Sequence, residues 1–326
     1  MGVNWLGEVY YLLKSGTLSK TSDSLTLKNT NENIEIPLEA VDNLMIFGNV
    51  TFTTPALSLL SDKKIHVSLF SERGWYITSI QPENYLQSGV VLSKQVEHYT
   101  DPIKRMELAK KFVIGAAKNM RKVTIRLGGE KSILMTREIE MTRSIQELMG
   151  IEGNIHIKYL EILDRKLPRK FKIENRTRRP PENYINSMMS YLYSVLYGIV
   201  SAEIFGTHLS PSISYLHELS ERRSSLALDV AEIFRPIFCD RTILRLVNLK
   251  IMNESDFVSQ EGYGIFLNDS GKRKILQEFD KKMQETTFVK SINRKASNRH
   301  LIKLELYKIE KHILGDVKYK PYLTKV

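Results

Sequence analysis

Residues 183–202 read NYINSMMSYLYSVLYGIVSA, twenty residues without a charged side chain. Whether this run crosses a membrane or fills the middle of a helical core decides the fold. On length alone it qualifies as a membrane span. It also carries Asn183, Asn186, four serines, four tyrosines and Gly198. A helix without a charged face is what the centre of a large helical domain needs, since protein meets it on every side. The run therefore reads as a buried helix of a globular chain.

Outward from this helix the texture differs on the two sides. Toward the N-terminus the period is two. Leu25 and Leu27 alternate with Thr26 and Lys28, and Ile34, Ile36 and Leu38 alternate with Glu35 and Pro37. The polar turn Asn29-Thr30-Asn31-Glu32 joins them, which is a hairpin signal. Further strands are expected at Leu44–Phe47, Ile65–Phe70 and Trp75–Ile80. Thr54-Pro55 predicts an N-cap followed by proline at the first helical position. After Gln81-Pro82 a helical period takes over, with Met106, Ala109, Val113 and Ala117 on one face. It continues to a last helix from Asn298 that stops at Gly315. The predicted fold class is α+β, a small N-terminal β-rich domain (1–85) followed by a larger all-α domain (86–326).

The 326 residues carry a net charge of +11, with a pI near 9.4. This balance favours a polyanionic partner, nucleic acid or an anionic membrane surface. The single cysteine, Cys239, rules out a disulfide framework and a cysteine zinc site. With no secretory signal pattern at MGVNWLGEVYYLL, a cytoplasmic location is expected.

Residues 165–179, RKLPRKFKIENRTRR, hold eight lysines or arginines against one acid. Such a run repels itself unless an anion neutralises it, and phosphates suit it. A solvated linker is the plain alternative. Phe171 would support a base or anchor the loop. Further basic clusters lie at Lys272, Arg273, Lys274, Lys281 and Lys282, and at Arg294, Lys295 and Arg299. Three separated clusters favour an extended strand-shaped ligand.

A reactive site is suggested by SYLHELSERRSSLALDVAEIFRP, residues 214–236. Leu226, Val230, Ile233 and Phe234 form an apolar helical stripe. Asp229 and Glu232, three apart, sit beside it, and carboxylates there are costly unless paired or cation-bound. His217 precedes the helix across a polar turn. Two oxygens and one nitrogen suit Mn²⁺ or Mg²⁺ better than zinc. Ordinary surface acids with a packing histidine would give the same spacing. Glu152, in an apolar context, is a candidate third ligand, with His156 as its competitor. HExxH, GxGxxG and Walker patterns are absent from the sequence.

In order along the chain, Glu152-Gly153, RRPPENYINSMMSYLYSVLY (178–197), SYLHE (214–218) and SLALDVAEIFRP (225–236) resemble one family, the CRISPR-associated integrase-endonuclease of spacer acquisition. IPLEAVDNLMIFGNV (36–50), RMELAKKFVIGAAKNM (105–120) and YKPY (319–322) are similar to it as well, so the likeness spans nearly the whole chain. His208-Leu209-Ser210-Pro211 departs from the Gly-Leu-Asp-Pro often seen there. Ser214 likewise stands where the family commonly has glycine.

The resemblance implies metal ligands Glu152, His217 and Glu232, with Asp229 assisting, and Mn²⁺ or Mg²⁺ as the ion. It implies a metal-dependent DNA endonuclease and integrase that inserts short DNA fragments into a CRISPR array. A donor 3′-hydroxyl would attack a target phosphodiester there. DNA contacts are expected from Arg165, Lys166, Arg169, Lys170, Arg176, Arg178 and Arg179. The implied partners are DNA, a second copy of the chain joined through the β domains, and a small ferredoxin-like subunit, with no membrane. A structure-selective repair nuclease and a non-catalytic DNA-binding scaffold remain open as alternatives.

Overall fold

The computed structural model describes residues 9–82, 86–128, 136–219, 224–260 and 262–324. Its first part holds strands β1 (Val9–Leu12), β2 (Gly16–Thr21), β3 (Ser24–Lys28), β4 (Asn33–Ile36), β5 (Asn43–Ile46) and β6 (Val50–Phe52). Helix α1 (Thr54–Asp62) and strands β7 (His66–Phe70) and β8 (Tyr76–Ile80) complete it. The second part is helical: α2 (Gly89–Thr100), α3 (Pro102–Arg126), α4 (Thr136–Met141), α5 (Ile145–Arg165), α6 (Tyr184–Phe205), α7 (Ser225–Arg235) and α8 (Arg241–Asn248). Then come the ribbon β9 (Phe257–Gln260) and β10 (Gly264–Leu267), α9 (Asp269–Gln284), the ribbon β11 (Thr286–Val289) and β12 (Arg294–Ser297), and α10 (Asn298–Ile313).

The β-rich part forms two four-stranded sheets, ordered β4-β3-β2-β6 and β1-β5-β7-β8. The predicted hairpin is β3–β4, with Leu25 opposite Ile36 and Leu27 opposite Ile34. Its turn closes because the Asn29 side-chain oxygen accepts the backbone N–H groups of Asn31 and Glu32, both at 2.9 Å. In the other sheet, β1, β5 and β7 run parallel and are buried on both faces. Tyr10, Leu12, Leu44, Ile46 and Val67 face a small core shared with β2, β3, β4 and α1. Val9, Tyr11, Met45, Phe47 and Phe70 face the opposite way, into the large helical core.

Helix α6 lies against that second face. Its interior is apolar on every side because sheet and helices both cover it, and 72% of its most apolar window is buried within the protein. Gly198 permits a close approach: a Cβ there would stand 2.8 Å from the Phe70 ring. Around α6, α3 packs on α5 and α7, and α7 and α10 pack on α6. Helix α3 starts where Asp101 accepts the N–H groups of Ile103 and Lys104, with Pro102 at the first turn. Helix α10 ends before Gly315, whose φ of +88° is the left-handed value glycine adopts freely.

The order of a β-rich region followed by a helical one is as read from the sequence. The cap of α1 is Thr53, one residue earlier than expected. Within the helical part, β9–β10 and β11–β12 are short antiparallel ribbons, so that part is not helix alone.

Candidate metal and phosphate site

The apolar stripe of α7 is as predicted: Leu226, Val230, Ile233 and Phe234 are buried. The same helix turns Asp229 inward, with no solvent exposure. An isolated buried carboxylate would be prohibitive, and the loop before the helix supplies its partners. Asp229 Oδ2 accepts the backbone N–H groups of Tyr215 (2.7 Å) and Leu216 (3.0 Å). Its Oδ1 accepts the backbone N–H of His217 (3.0 Å) and pairs with His217 Nδ1 (2.7 Å). One acid thus shapes residues 215–217 and fixes the orientation of the imidazole. The bond engages Nδ1, so Nε2 is the ring nitrogen that could take a ligand. Burial pulls the His217 pKa down, but the hydrogen bond and charge of Asp229, aided by Glu232, raise it above its usual value.

One turn along α7, Glu232 is mostly buried and forms an ion pair with Arg235, three residues on. Glu152 approaches from α5. Burial, then the charge of Glu232, pushes its carboxyl up to about 7, against the pull of Arg235, His217 and Arg178. The charge of Glu232 thus reaches both Glu152 and His217, and that of His217 reaches Glu152, although the three come from α5, the loop before α7 and α7 itself. As their side chains stand, no three His, Cys, Asp or Glu groups among the described residues are close enough to hold an ion. Glu232 is turned toward Arg235 instead. His156, one turn beyond Glu152, is pushed by burial down to about 4, so its ring is neutral near pH 7; the charges of Glu232, Arg235, Arg176 and Arg178 also reach it.

Arg235 was not anticipated, although its i+3 spacing from Glu232 is legible in the sequence. Its guanidinium lies 4.9 Å from the Tyr193 ring centroid. Among the described residues its Nε, though buried, has no hydrogen-bond partner. Tyr193 donates to Asp240 Oδ1 (2.7 Å) and Tyr159 to Asp240 Oδ2 (2.9 Å). Burial still raises Asp240 to about 6. A polar seam thus runs from Glu232 through Arg235 and Tyr193 to Asp240 and Tyr159. No sequence motif signals its second half.

The basic strip is an ordered loop. Leu167, Phe171 and Ile173 are buried, and Phe171 rests against Tyr184 and Phe257. Phe171 is therefore an anchor for the loop and offers no face to a base. Arg165, Lys166, Arg169, Arg178 and Arg179 are exposed, and exposed Lys170 pairs with Glu254 at 2.7 Å. Arg176 differs from these. It turns inward to Thr177 O, Asn186 Oδ1 (3.3 Å) and Ser190 Oγ (3.2 Å), and burial lowers its pKa to about 10. It ties the strip to α6, so its expected role on the DNA surface is corrected to an internal one.

The other basic clusters are also reduced. Lys272, Lys274, Lys281 and Lys282 pair with Asp269, Asp256, Glu278 and Glu285. Arg299 is buried between Glu203 (2.8 Å) and Asp42 (2.7 Å). The strip keeps six exposed cations, Arg165, Lys166, Arg169, Lys170, Arg178 and Arg179, and the charge of Arg178 reaches Glu152.

The family model described as CRISPR associated protein Cas1 matches residues 10–281. A CRISPR-associated endonuclease Cas1 of Thermodesulfovibrio yellowstonii is 40% identical over 324 residues, covering 96% of this chain and 98% of the relative. The solved structure of a CAS1 protein from Thermotoga maritima superposes with a TM-score of 0.89 at 37% identity, covering 98% of this chain and all of that one. A casposase bound to integration product shares the fold, with a TM-score of 0.85 at 22% identity, over 96% of this chain and 92% of its own. With matches of this extent in sequence and in fold, the chain belongs to the Cas1 family of CRISPR-associated proteins.

Proposed function

We propose that the chain is a divalent-metal-dependent DNA endonuclease and integrase of CRISPR spacer acquisition. It inserts short DNA fragments into the CRISPR array by attack of a donor 3′-hydroxyl on a target phosphodiester. The observation that carries this reading is membership of the Cas1 family, supported by His217 held by Asp229 before α7 and by the exposed basic strip.

The residues fit Mn²⁺ or Mg²⁺. Two carboxylates and one imidazole are the donor types such ions accept. Glu152, held up at about 7 by burial and a like charge, gains from a cation beside it. Glu152, His217 and Glu232 would hold the ion, with Glu232 exchanging or sharing its contact with Arg235. When bound, the ion supplies Lewis-acid stabilisation of phosphoryl charge. Asp229 is a positioning residue, since it holds both the His217 ring and the backbone beneath it. Arg235 restrains Glu232 through their ion pair. Arg178 and Arg179, with Arg165, Lys166, Arg169 and Lys170, hold DNA phosphates in reach of the site. DNA is thus the proposed substrate. A second copy joined through the β-rich part and a small ferredoxin-like subunit are the proposed partners.

The test pairs two readouts. Glu152→Ala or His217→Ala is expected to abolish Mn²⁺-dependent cutting and strand transfer while leaving DNA binding in place. Mn²⁺ at about 100 times its Kd stabilises a single site by about 2.7 kcal/mol, so it is expected to raise the wild-type melting temperature but not that of Glu232→Ala. Strand transfer retained in either variant would overturn the ligand assignment. An equal Mn²⁺ shift in Glu232→Ala would overturn it too.

A further inference from the structure

The segment that carries His217 crosses from α6 to α7, and its fastenings reach beyond Asp229. Two of them come from the corner where α2 meets α3, helices that contribute nothing to the ligand set. Arg105, in the first turn of α3, reaches both sides of the histidine. Its Nε donates to Tyr215 O at 3.1 Å and its Nη2 to Glu218 Oε1 at 2.9 Å. The same guanidinium lies 4.4 Å from the ring centroid of Tyr99 on α2. The Tyr99 hydroxyl donates to the second Glu218 oxygen at 3.4 Å. A planar fork resting on a ring has few orientations open to it, which suits two fixed acceptors.

A second fastening lies upstream. Gln95 on α2 is fully buried, and its side-chain amide holds one residue twice. Its Oε1 accepts the Ser210 N–H at 2.6 Å, and its Nε2 donates to Ser210 O at 3.2 Å. A third lies within the segment itself. The buried Ser214 hydroxyl donates to the carbonyl of His217 at 2.7 Å. Ser214 stands where glycine is common in the family, and a glycine could not make this bond.

These groups complete what Asp229 begins. Asp229 takes the N–H groups of Tyr215, Leu216 and His217. Arg105 and Ser214 take the carbonyls of Tyr215 and His217. The peptide between Tyr215 and Leu216 is thereby held on both edges of its plane, its N–H by Asp229 and its C=O by Arg105. A peptide held on one edge can tip; one held on both cannot.

We propose that Arg105 and Ser214 are positioning residues for His217. They lock the backbone that aims its imidazole, and so set how readily Glu152, His217 and Glu232 close on one divalent ion. This inference rests on the ligand assignment above.

The experiment measures Mn²⁺ binding to the full chain without DNA, from the electron-spin-resonance signal of the free ion. Arg105→Ala is expected to raise the Mn²⁺ Kd about tenfold, as losing a group that orients a ligand commonly does. Arg105→Lys keeps the charge but cannot span both acceptors, so its Kd should fall between that and wild type. Ser214→Ala removes one hydroxyl and should raise the Kd about fivefold. Strand transfer by each variant should recover at raised Mn²⁺, with the KM for DNA unchanged. Should Arg105→Ala fail to fold, Arg105→Lys and Ser214→Ala decide. A wild-type Mn²⁺ Kd in the folded variants, even with a lowered melting temperature, would reduce both residues to ordinary packing and overturn the proposal. His217→Ala separates this from the reading beneath it: if that variant also binds Mn²⁺ as wild type does, the ligand assignment itself fails.

Discussion

Replacing Asp229 by asparagine tests the internal clamp most directly. The carboxylate accepts four hydrogen bonds, two on each oxygen. In the variant one oxygen becomes an NH₂ group, so two of the four donors face a donor. A buried donor left without an acceptor costs about 1–3 kcal/mol, so the pair costs roughly 2–6 kcal/mol. Unfolding entropy of about 2.1 cal/mol/K per residue amounts to about 0.7 kcal/mol/K for 326 residues. A loss of about 4 kcal/mol then lowers the melting temperature by roughly 6 °C if the chain unfolds as one unit. Calorimetry measures that shift. Hydrogen exchange locates it, because the amides of Tyr215, Leu216 and His217 should lose protection ahead of the rest. Strand transfer should fall as well, since the His217 ring is no longer held. Unchanged protection of those three amides with an unchanged melting temperature would refute the clamp.

Three other perturbations follow from buried groups. Asp240 is raised to about 6 in the folded state, so its favourable contribution is full below its unfolded value near 3.8 and is lost as pH rises through 6. The stability of Asp240→Asn relative to wild type, measured by urea titration, should therefore climb between pH 4 and pH 7, by an amount on the order of 3 kcal/mol. Arg235→Ala leaves Glu232 mostly buried without its ion-pair partner and should cost about 3–5 kcal/mol in urea titrations. His66 is held at about 4 by burial, stacks on Phe205 at 5.2 Å, and has neither ring nitrogen hydrogen-bonded among the described residues. His66→Phe should match or exceed wild-type stability, by roughly 1 kcal/mol. It should also remove part of the loss of stability that wild type suffers as pH falls from 6.5 toward 4.

How much was legible depended on whether a feature is periodic. The β3–β4 hairpin and α10 announced themselves by alternation and by a helical stripe ending at glycine. The strand at Val9–Leu12 did not, because a strand buried on both faces has no alternation to read. The two ribbons of the helical part are four-residue strands, too short for a pattern. In the site, the stripe of α7 and the cost of an acid beside it could be read. The N–H groups that satisfy Asp229 lie 12 to 14 residues earlier in a loop, and no spacing rule encodes that. Glu152 needed the likeness to a family, because a lone glutamate in an apolar helix has many explanations. Charge counting overstated the basic clusters for a related reason. Composition counts Arg299 as surface positive charge, whereas folding places it between Glu203 and Asp42.

The β1-β5-β7 arrangement also has a mechanical consequence. Those strands are a party wall: the rooms on both sides are built against it. Severing the chain near residue 82 would strip Val9, Tyr11, Met45, Phe47 and Phe70 of the helices that cover them and leave α6 without its floor. Neither fragment would be a portable module. A load applied to the strands reaches the helix beside the polar seam through direct contact.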